Sequence, residues 1–286
     1  MDIAHYPPAT TGLTRFTVVR IVLALLAVCL PVALVLIASN QIADKALRAY
    51  WPPLLATALG VTGYLYCVRK LEQRVASELG GAALRRELGM GLGLGTLLFL
   101  AVMALAATGG IQWLGFGGWR TLPKSLTEML FVAVIEEIVF RGVLLRITER
   151  AVGSWAALIV SALLFGLAHV PNDGVTALAV INTVVAGLLF GAAYLATRRL
   201  WLTIGIHFAW NFVSSGVFSV PTSGNPGHGL LQLQFTGPTW LTGGAYGLEA
   251  SAATLVVLAV ATAWLLRQAR RAHHLAPRRG GKNTTL

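Results

Sequence analysis

The chain has 286 residues, of which 56% are hydrophobic and 12% charged, and its formal net charge is +11. A mean hydropathy of +0.72 excludes an ordinary soluble globular protein, whose charged fraction is about twice as high. The positive charge does not point to nucleic acid: its Lys and Arg fall at the ends of apolar runs, where membrane topology and anionic headgroups account for them, and no soluble basic domain exists to carry them.

An apolar helix needs about 20 residues to cross the hydrocarbon of a bilayer. Runs of that kind occupy 16–38, 52–68, 89–107, 125–145, 155–170, 175–197, 200–220 and 246–266. They predict a single all-α domain over 1–286, a polytopic membrane bundle of about eight transmembrane helices. The first run is too long, and follows too polar a start, to be a cleaved signal peptide, and it reads as a retained helix. Segment 69–88 (RKLEQRVASELGGAALRREL) mixes charges with apolar residues and predicts a helix lying on the inner surface. Segment 221–244, rich in Gly, Pro and Thr, reads as an outer lid or linker. The basic tail 273–286 reads as disordered. Cys29 and Cys67 both fall in predicted spans and read as packing residues. Trp51, Trp113, Trp119, Trp201 and Trp240 fall at helix ends, where amphipathic rings anchor at the interface.

Short cytoplasmic loops retain Lys and Arg. With the N-terminus inside, the inner side holds Arg15, Arg20, Arg69, Lys70, Arg74, Arg85, Arg86, Arg146, Arg150, Arg198 and Arg199, together with the six cations from Arg267 to Lys282; the outer side holds only Lys45, Arg48, Arg120 and Lys124. Both termini are therefore predicted cytoplasmic, in an integral protein of what reads as a bacterial plasma membrane.

The chemistry lies in a few polar intrusions. Glu136 and Glu137 sit side by side in MLFVAVIEEIVFRGVLL, and a carboxylate at bilayer depth costs several kcal/mol unless it is paired or faces water. Glu137 and Arg141, four apart, share a helix face and can pair. Glu136 points about 100° away, free to face a cavity. His169 in FGLAHV ends the fifth run, and His207 and Asn211 in GIHFAWNF share a face of the seventh. Each group alone is explained by interhelical hydrogen bonding. A common cavity explains them together. It would hold a carboxylate and an imidazole to deprotonate a water, with a second imidazole and a carboxamide to donate to a developing oxyanion, the equipment for peptide hydrolysis without a protein nucleophile. Three lesser candidates read otherwise: Asp173 belongs to an exposed turn, Asn182 is a candidate cavity residue, and Gly187 and Gly191 permit close helix contact inside the bundle. His228, His273 and His274 read as solvated.

The motifs E-E-x-x-x-R (Glu136, Glu137, Arg141), F-x-x-x-H (Phe165, His169) and H-x-x-x-N (His207, Asn211), in that order on separate helices, resemble the CAAX protease and bacteriocin-processing (CPBP, or Abi) family, which includes the type II CAAX prenyl endopeptidases. The resemblance covers about 123–213. It implies an intramembrane endopeptidase in which Glu136 and His169 activate water and His207 and Asn211 stabilise the oxyanion, with Glu137 and Arg141 in support. It also implies an alternative, a zinc ion held by Glu136, His169 and His207 with an open position for water; the absence of H-E-x-x-H weighs toward a mechanism that needs no cofactor. The implied partner is a peptide or protein substrate entering from the membrane, lipid-modified or not, with maturation of or immunity to a bacteriocin as open roles. A non-catalytic scaffold or immunity protein, or an ion-coupled transporter, could use the same cluster, although no inverted repeat is visible.

At about 1.5 Å per residue, Glu136 lies roughly 15 Å from Arg146, His207 roughly 10 Å from Leu200 and His169 roughly 21 Å from Trp155. A common site therefore requires helix tilt or a shifted start of the fifth helix.

Overall fold

The computed structural model describes residues 16–277. In chain order the helices are α1 (Thr17–Ser39), α2 (Lys45–Leu71), α3 (Leu84–Ala106), α4 (Leu122–Glu137), α5 (Arg146–Val152), α6 (Ser154–Ala168), α7 (Ala177–Thr197), α8 (Trp201–Asn211), α9 (Thr239–Thr242) and α10 (Ala252–Arg271). A π-helical segment, Ile138–Leu145, joins α4 to α5 in one rod, and a second, Phe212–Val217, extends α8. The architecture is a helical membrane-type bundle.

By length and composition alone, four stretches among the described residues can cross a membrane: Thr17–Ser39, Ser77–Gly109, Ala177–Thr197 and Ala252–Arg271. The count of about eight does not follow from them. The other predicted spans form helices, but α2 is diluted by Pro52, Pro53 and its Tyr, Thr and Gly residues, α4 and α8 change to π geometry, and α6 has only 15 residues. Leu26, Leu30 and Leu34 of α1, Ile159 and Leu163 of α6, and Val256 and Val260 of α10 are exposed, an apolar belt suited to lipid.

Small residues bring the central helices together. A Cβ on Gly205 of α8 would lie 2.7 Å from Leu88 O, and one on Gly95 of α3 would lie 2.3 Å from Ile206 O, so this crossing tolerates no side chain. A Cβ on Gly187 of α7 would lie 2.8 Å from Ala162 Cα in α6, placing that glycine's close contact inside the bundle. Gly153, at φ +84°, makes the tight turn between α5 and α6, a conformation that costs an L side chain 1–2 kcal/mol or so. Thr176 and Ser251 cap α7 and α10 by accepting from Ala179 N–H and Thr254 N–H, each at 3.1 Å.

Several expectations are corrected. Segment 69–88 is not one surface helix. After Leu71 it breaks into short turns until α3 begins, because its carboxylates are drawn inward to arginines of other elements: Glu72 takes both terminal nitrogens of Arg146 at 2.6 Å and Arg74 Nε at 2.7 Å, while Glu78 takes Arg74 at 2.7 Å and the Tyr64 hydroxyl. Segment 221–244 is more than a linker, since Leu231–Phe235 pairs antiparallel with Ile111–Phe116 in a two-stranded ribbon, an exception to all-α. His274 is half-buried rather than solvated: its Nδ1 lies 3.0 Å from Leu195 O, and its carbonyl accepts from Arg198. Ala276 N–H donates to Ser154 Oγ at 2.7 Å, so 273–277 is docked, while the remainder of the tail predicted disordered, 278–286, lies outside the described residues. Cys29 and Cys67 are free thiols, Cys67 buried and Cys29 exposed. Trp201 is half-buried, donating its indole N–H to Gly80 O at 3.0 Å rather than anchoring freely.

The depth conflict dissolves in the same way. The rod carrying Glu136 does not end at Arg146 but runs on to Val152, so Glu136 lies about 24 Å and His169 about 22 Å from the α5–α6 turn, at nearly the same depth. His207 sits nearer the start of its helix because α8 begins recessed. Leu200 is buried, and its N–H bonds Glu78 O at 2.9 Å, at the level of Arg146.

Candidate active site

Glu136, Glu137 and Arg141 come from the α4 rod, His169 from the C-cap of α6, and His207 and Asn211 from α8. Both rods change from α to π immediately after a site residue, at Glu137 and at Asn211, a feature that recurs at functional sites. The helices place five of the motif residues, Glu136, Phe165, His169, His207 and Asn211, on the wall of a cavity of about 840 Å³ that Asn182 also lines, while Glu137 and Arg141 are buried behind it.

Behind the cavity wall, Glu137 is fully enclosed and each of its oxygens is used. Oε1 takes Arg141 at 2.9 Å and His207 Nδ1 at 2.8 Å, and Oε2 takes the Thr203 hydroxyl at 2.6 Å. The Glu137–Arg141 pair therefore does more than lock its own helix. Arg141 offsets the carboxylate charge, and Glu137 fixes the imidazole so that His207 Nδ1 carries a proton and Nε2 faces the cavity. Arg141 also donates to Gly187 O at 3.0 Å and lies between Phe165 and Phe190, 4.6 and 5.0 Å from their centroids. His207 stacks on Phe190 at 4.6 Å.

Glu136 differs. Its side chain is 28% exposed, and Oε2 is buried with no hydrogen-bond partner. His207 Nε2 lies 3.8 Å and His169 Nε2 4.0 Å from that oxygen. His169 Nδ1 lies 2.8 Å from Phe165 O, and a carbonyl only accepts, so Nδ1 carries the proton and Nε2 is bare. Gaps of 3.8–4.0 Å are too long for a direct hydrogen bond, so neither imidazole satisfies the enclosed Oε2. Asn211 is buried on the cavity wall four residues from His207.

Glu136, His169 and His207 offer the N and O donors that zinc takes, but a tetrahedral zinc site with bonds of about 2.0–2.2 Å needs donors roughly 3.3 Å apart. The separations here are wider, and no group of three or more His, Cys, Asp and Glu among the described residues is arranged to hold a metal ion. As placed, the three donors do not close around one ion.

Two contributors escape motif reading. Thr203 lies four residues before His207, on the same helical face, so the spacing T-x-x-x-H-x-x-x-N was the signal available. Glu249 had none. It lines the cavity, accepts from Trp210 Nε1 at 2.9 Å, from Ser223 N–H at 2.5 Å and from the Ser223 hydroxyl at 2.7 Å, and so ties loop 222–228 over the site. Asn182 also lines the cavity, donating to Glu249 O at 2.7 Å and Ser251 O at 2.8 Å. Asp173 lies exposed in a turn, and exposed His228 stands at the cavity mouth.

Residues 118–213 match the family model "Type II CAAX prenyl endopeptidase Rce1-like". Searches of curated proteins and of solved structures found no match. The matched span covers the α4 rod, α6, α7 and α8 through Val213, the elements that carry all seven motif residues. Over residues 118–213 the chain is thus similar to an Rce1-like domain, in keeping with the CPBP family, and this similarity supports a CAAX-type intramembrane protease at the coarse level.

Proposed function

We propose that the protein is an intramembrane endopeptidase that hydrolyses a peptide bond with a water activated by Glu136 and His169. The observation that carries this reading is the bare Glu136 Oε2 on the cavity floor, flanked at 3.8 and 4.0 Å by two imidazole nitrogens. Glu136 takes a proton from the water as its oxygen attacks the scissile carbonyl carbon. The oxyanion accepts from Asn211 Nδ2 and from His207 Nε2 in its protonated form, which Glu137 holds in place. Glu136 then delivers the proton to the departing amine, completing the cleavage.

The substrate is a membrane-associated peptide or protein segment, with CAAX-type and bacteriocin-processing roles both within reach of this chemistry. The protein is integral to a membrane, read as a bacterial plasma membrane, with about eight crossings and both termini cytoplasmic. The cation distribution supports that orientation: Arg74 after α2, Arg146 and Arg150 of α5, and Arg198 after α7 join Glu72, Glu78 and Glu149 at one end of the bundle.

The test compares purified wild type with Glu136→Gln for cleavage of a quenched fluorogenic peptide library that includes farnesylated members, with and without a chelator. Cleavage by wild type, lost in the variant and indifferent to chelator, supports the mechanism as written. Chelator-sensitive cleavage replaces it with a metal-dependent one. Absence of cleavage by wild type favours a binding or transport role for the cluster.

A further inference from the structure

Resting on the hydrolase reading and deepening it, we propose that the cavity is entered from the side of the membrane away from the cytoplasm, and that its substrate is a segment of an exported chain, secreted or membrane-anchored. The argument joins two observations. The cavity reaches to mid-depth of the bundle, at Phe140, Phe190 and Ile206, and from there its wall continues toward one end only: Leu36 near the end of α1, Tyr50 near the start of α2, Lys124 and Glu128 at the start of α4, and Asn225 in the loop tied by Glu249. No residue of the opposite end lines it, neither 69–88, 146–154, 194–203 nor 266–277.

That opposite end is where the cations gather. Arg69, Lys70, Arg74, Arg85, Arg86, Arg146, Arg150, Arg198, Arg199, Arg267, Arg270 and Arg271 all lie there, against Lys45, Arg48, Arg120 and Lys124 at the end with the mouth. Loops rich in Lys and Arg stay cytoplasmic, because moving such charges across the bilayer during insertion is opposed. The cationic end is also closed. Buried ion pairs of Glu72 and Glu78 with Arg74 and Arg146, and of Glu149 with Arg198 at 2.5 Å, join α5 to the segment after α2 and to the end of α7. A cytoplasmic segment would meet this plug, whereas an exported one meets the mouth.

The test uses full-length protein with Cys29 and Cys67 replaced by alanine and single cysteines introduced as Asn225→Cys at the mouth or Arg86→Cys at the cationic end, both exposed positions. A membrane-impermeant maleimide added to intact cells is expected to label Asn225→Cys at least tenfold faster than Arg86→Cys, and the order should reverse in inverted vesicles. The opposite order in intact cells overturns the proposal. Wild type in right-side-out and inverted vesicles, given an impermeant quenched peptide library, supplies the second readout. Cleavage confined to right-side-out vesicles supports outer entry, and cleavage confined to inverted vesicles overturns it. The expected labelling with no cleavage in either orientation upholds the outward opening of the cavity and overturns the hydrolase reading instead.

Discussion

Two clusters of carboxylates are buried in this bundle, and they differ in what is left over. At the cationic end, Glu72 and Glu78 have every oxygen occupied, by Arg74, Arg146 and Tyr64, so that α2, the turns after it and the α4 rod are held at one point. Behind the cavity, Glu137 is equally saturated, but its neighbour Glu136, on the cavity wall, keeps one oxygen bare. A carboxylate with full partners stabilises structure and has no capacity for chemistry. A buried one without a partner destabilises, and a fold retains it where a reacting group completes the set.

The comparison breaks most sharply at Glu136. Glu136→Gln should lower the cleavage rate by about 10²–10⁴-fold, the range for removal of a general base, while thermal stability in detergent stays within about 1 kcal/mol because no protein partner is lost. Equal loss of stability and activity would show that Glu136 belongs with the saturated group. The converse variant, Arg146→Ala, strips Glu72 of its bidentate partner and leaves Arg74 as its close counter-charge, and breaking this buried pair should cost about 3 kcal/mol. A cost under about 1 kcal/mol in denaturation assays would remove the distinction between the clusters.

The same cluster carries a pH signature. Burial raises the Glu72 carboxyl, but the guanidiniums of Arg146 and Arg74 outweigh it and lower the group from 4.5 to about 2. The folded value lies below the unfolded one, so the stabilisation is fully present above about pH 4.5 and is lost as pH falls toward 2. It is on the order of 3 kcal/mol. Melting temperature measured from pH 7 to 3 should fall below pH 4.5, and the fall should be shallower in Glu72→Gln; parallel profiles would contradict the assignment.

The smallest expected effect sharpens the role of Glu137. Thr203→Val keeps the side-chain shape but leaves Glu137 Oε2 unsatisfied, at a cost of about 1–3 kcal/mol. It should lower kcat about tenfold through a looser His207 with KM nearly unchanged, because the hydroxyl reaches no substrate. Recovery of kcat in Thr203→Ser would identify positioning as the cause, and an effect on KM alone would refute it.

Legibility followed the range of the contact. Glu137 with Arg141 is a pairing within one helical turn, and spacing alone gives it. Glu137 with His207 crosses from α4 to α8, and nothing in either segment announces it. The depth mismatch came from reading Arg146 as a helix end at the membrane surface, when that arginine is buried and paired. Glu249 and the ribbon strands were hidden because a loop anchor carries no periodicity.

The sequence by itself determined the membrane character, the concentration of cations on one side, and the three motifs with their family. Each of these depends on composition or on spacing within a single helix. The tertiary structure alone decided that Glu136 keeps a bare oxygen while Glu137 does not, that Thr203 and Glu249 support the site, and that the cavity opens away from the arginine-rich end. The physical reason is that these depend on the rotation and depth of one helix against another, which glycine contacts at Gly95, Gly187 and Gly205 and ion pairs at Glu72 and Glu78 set only once the chain is packed.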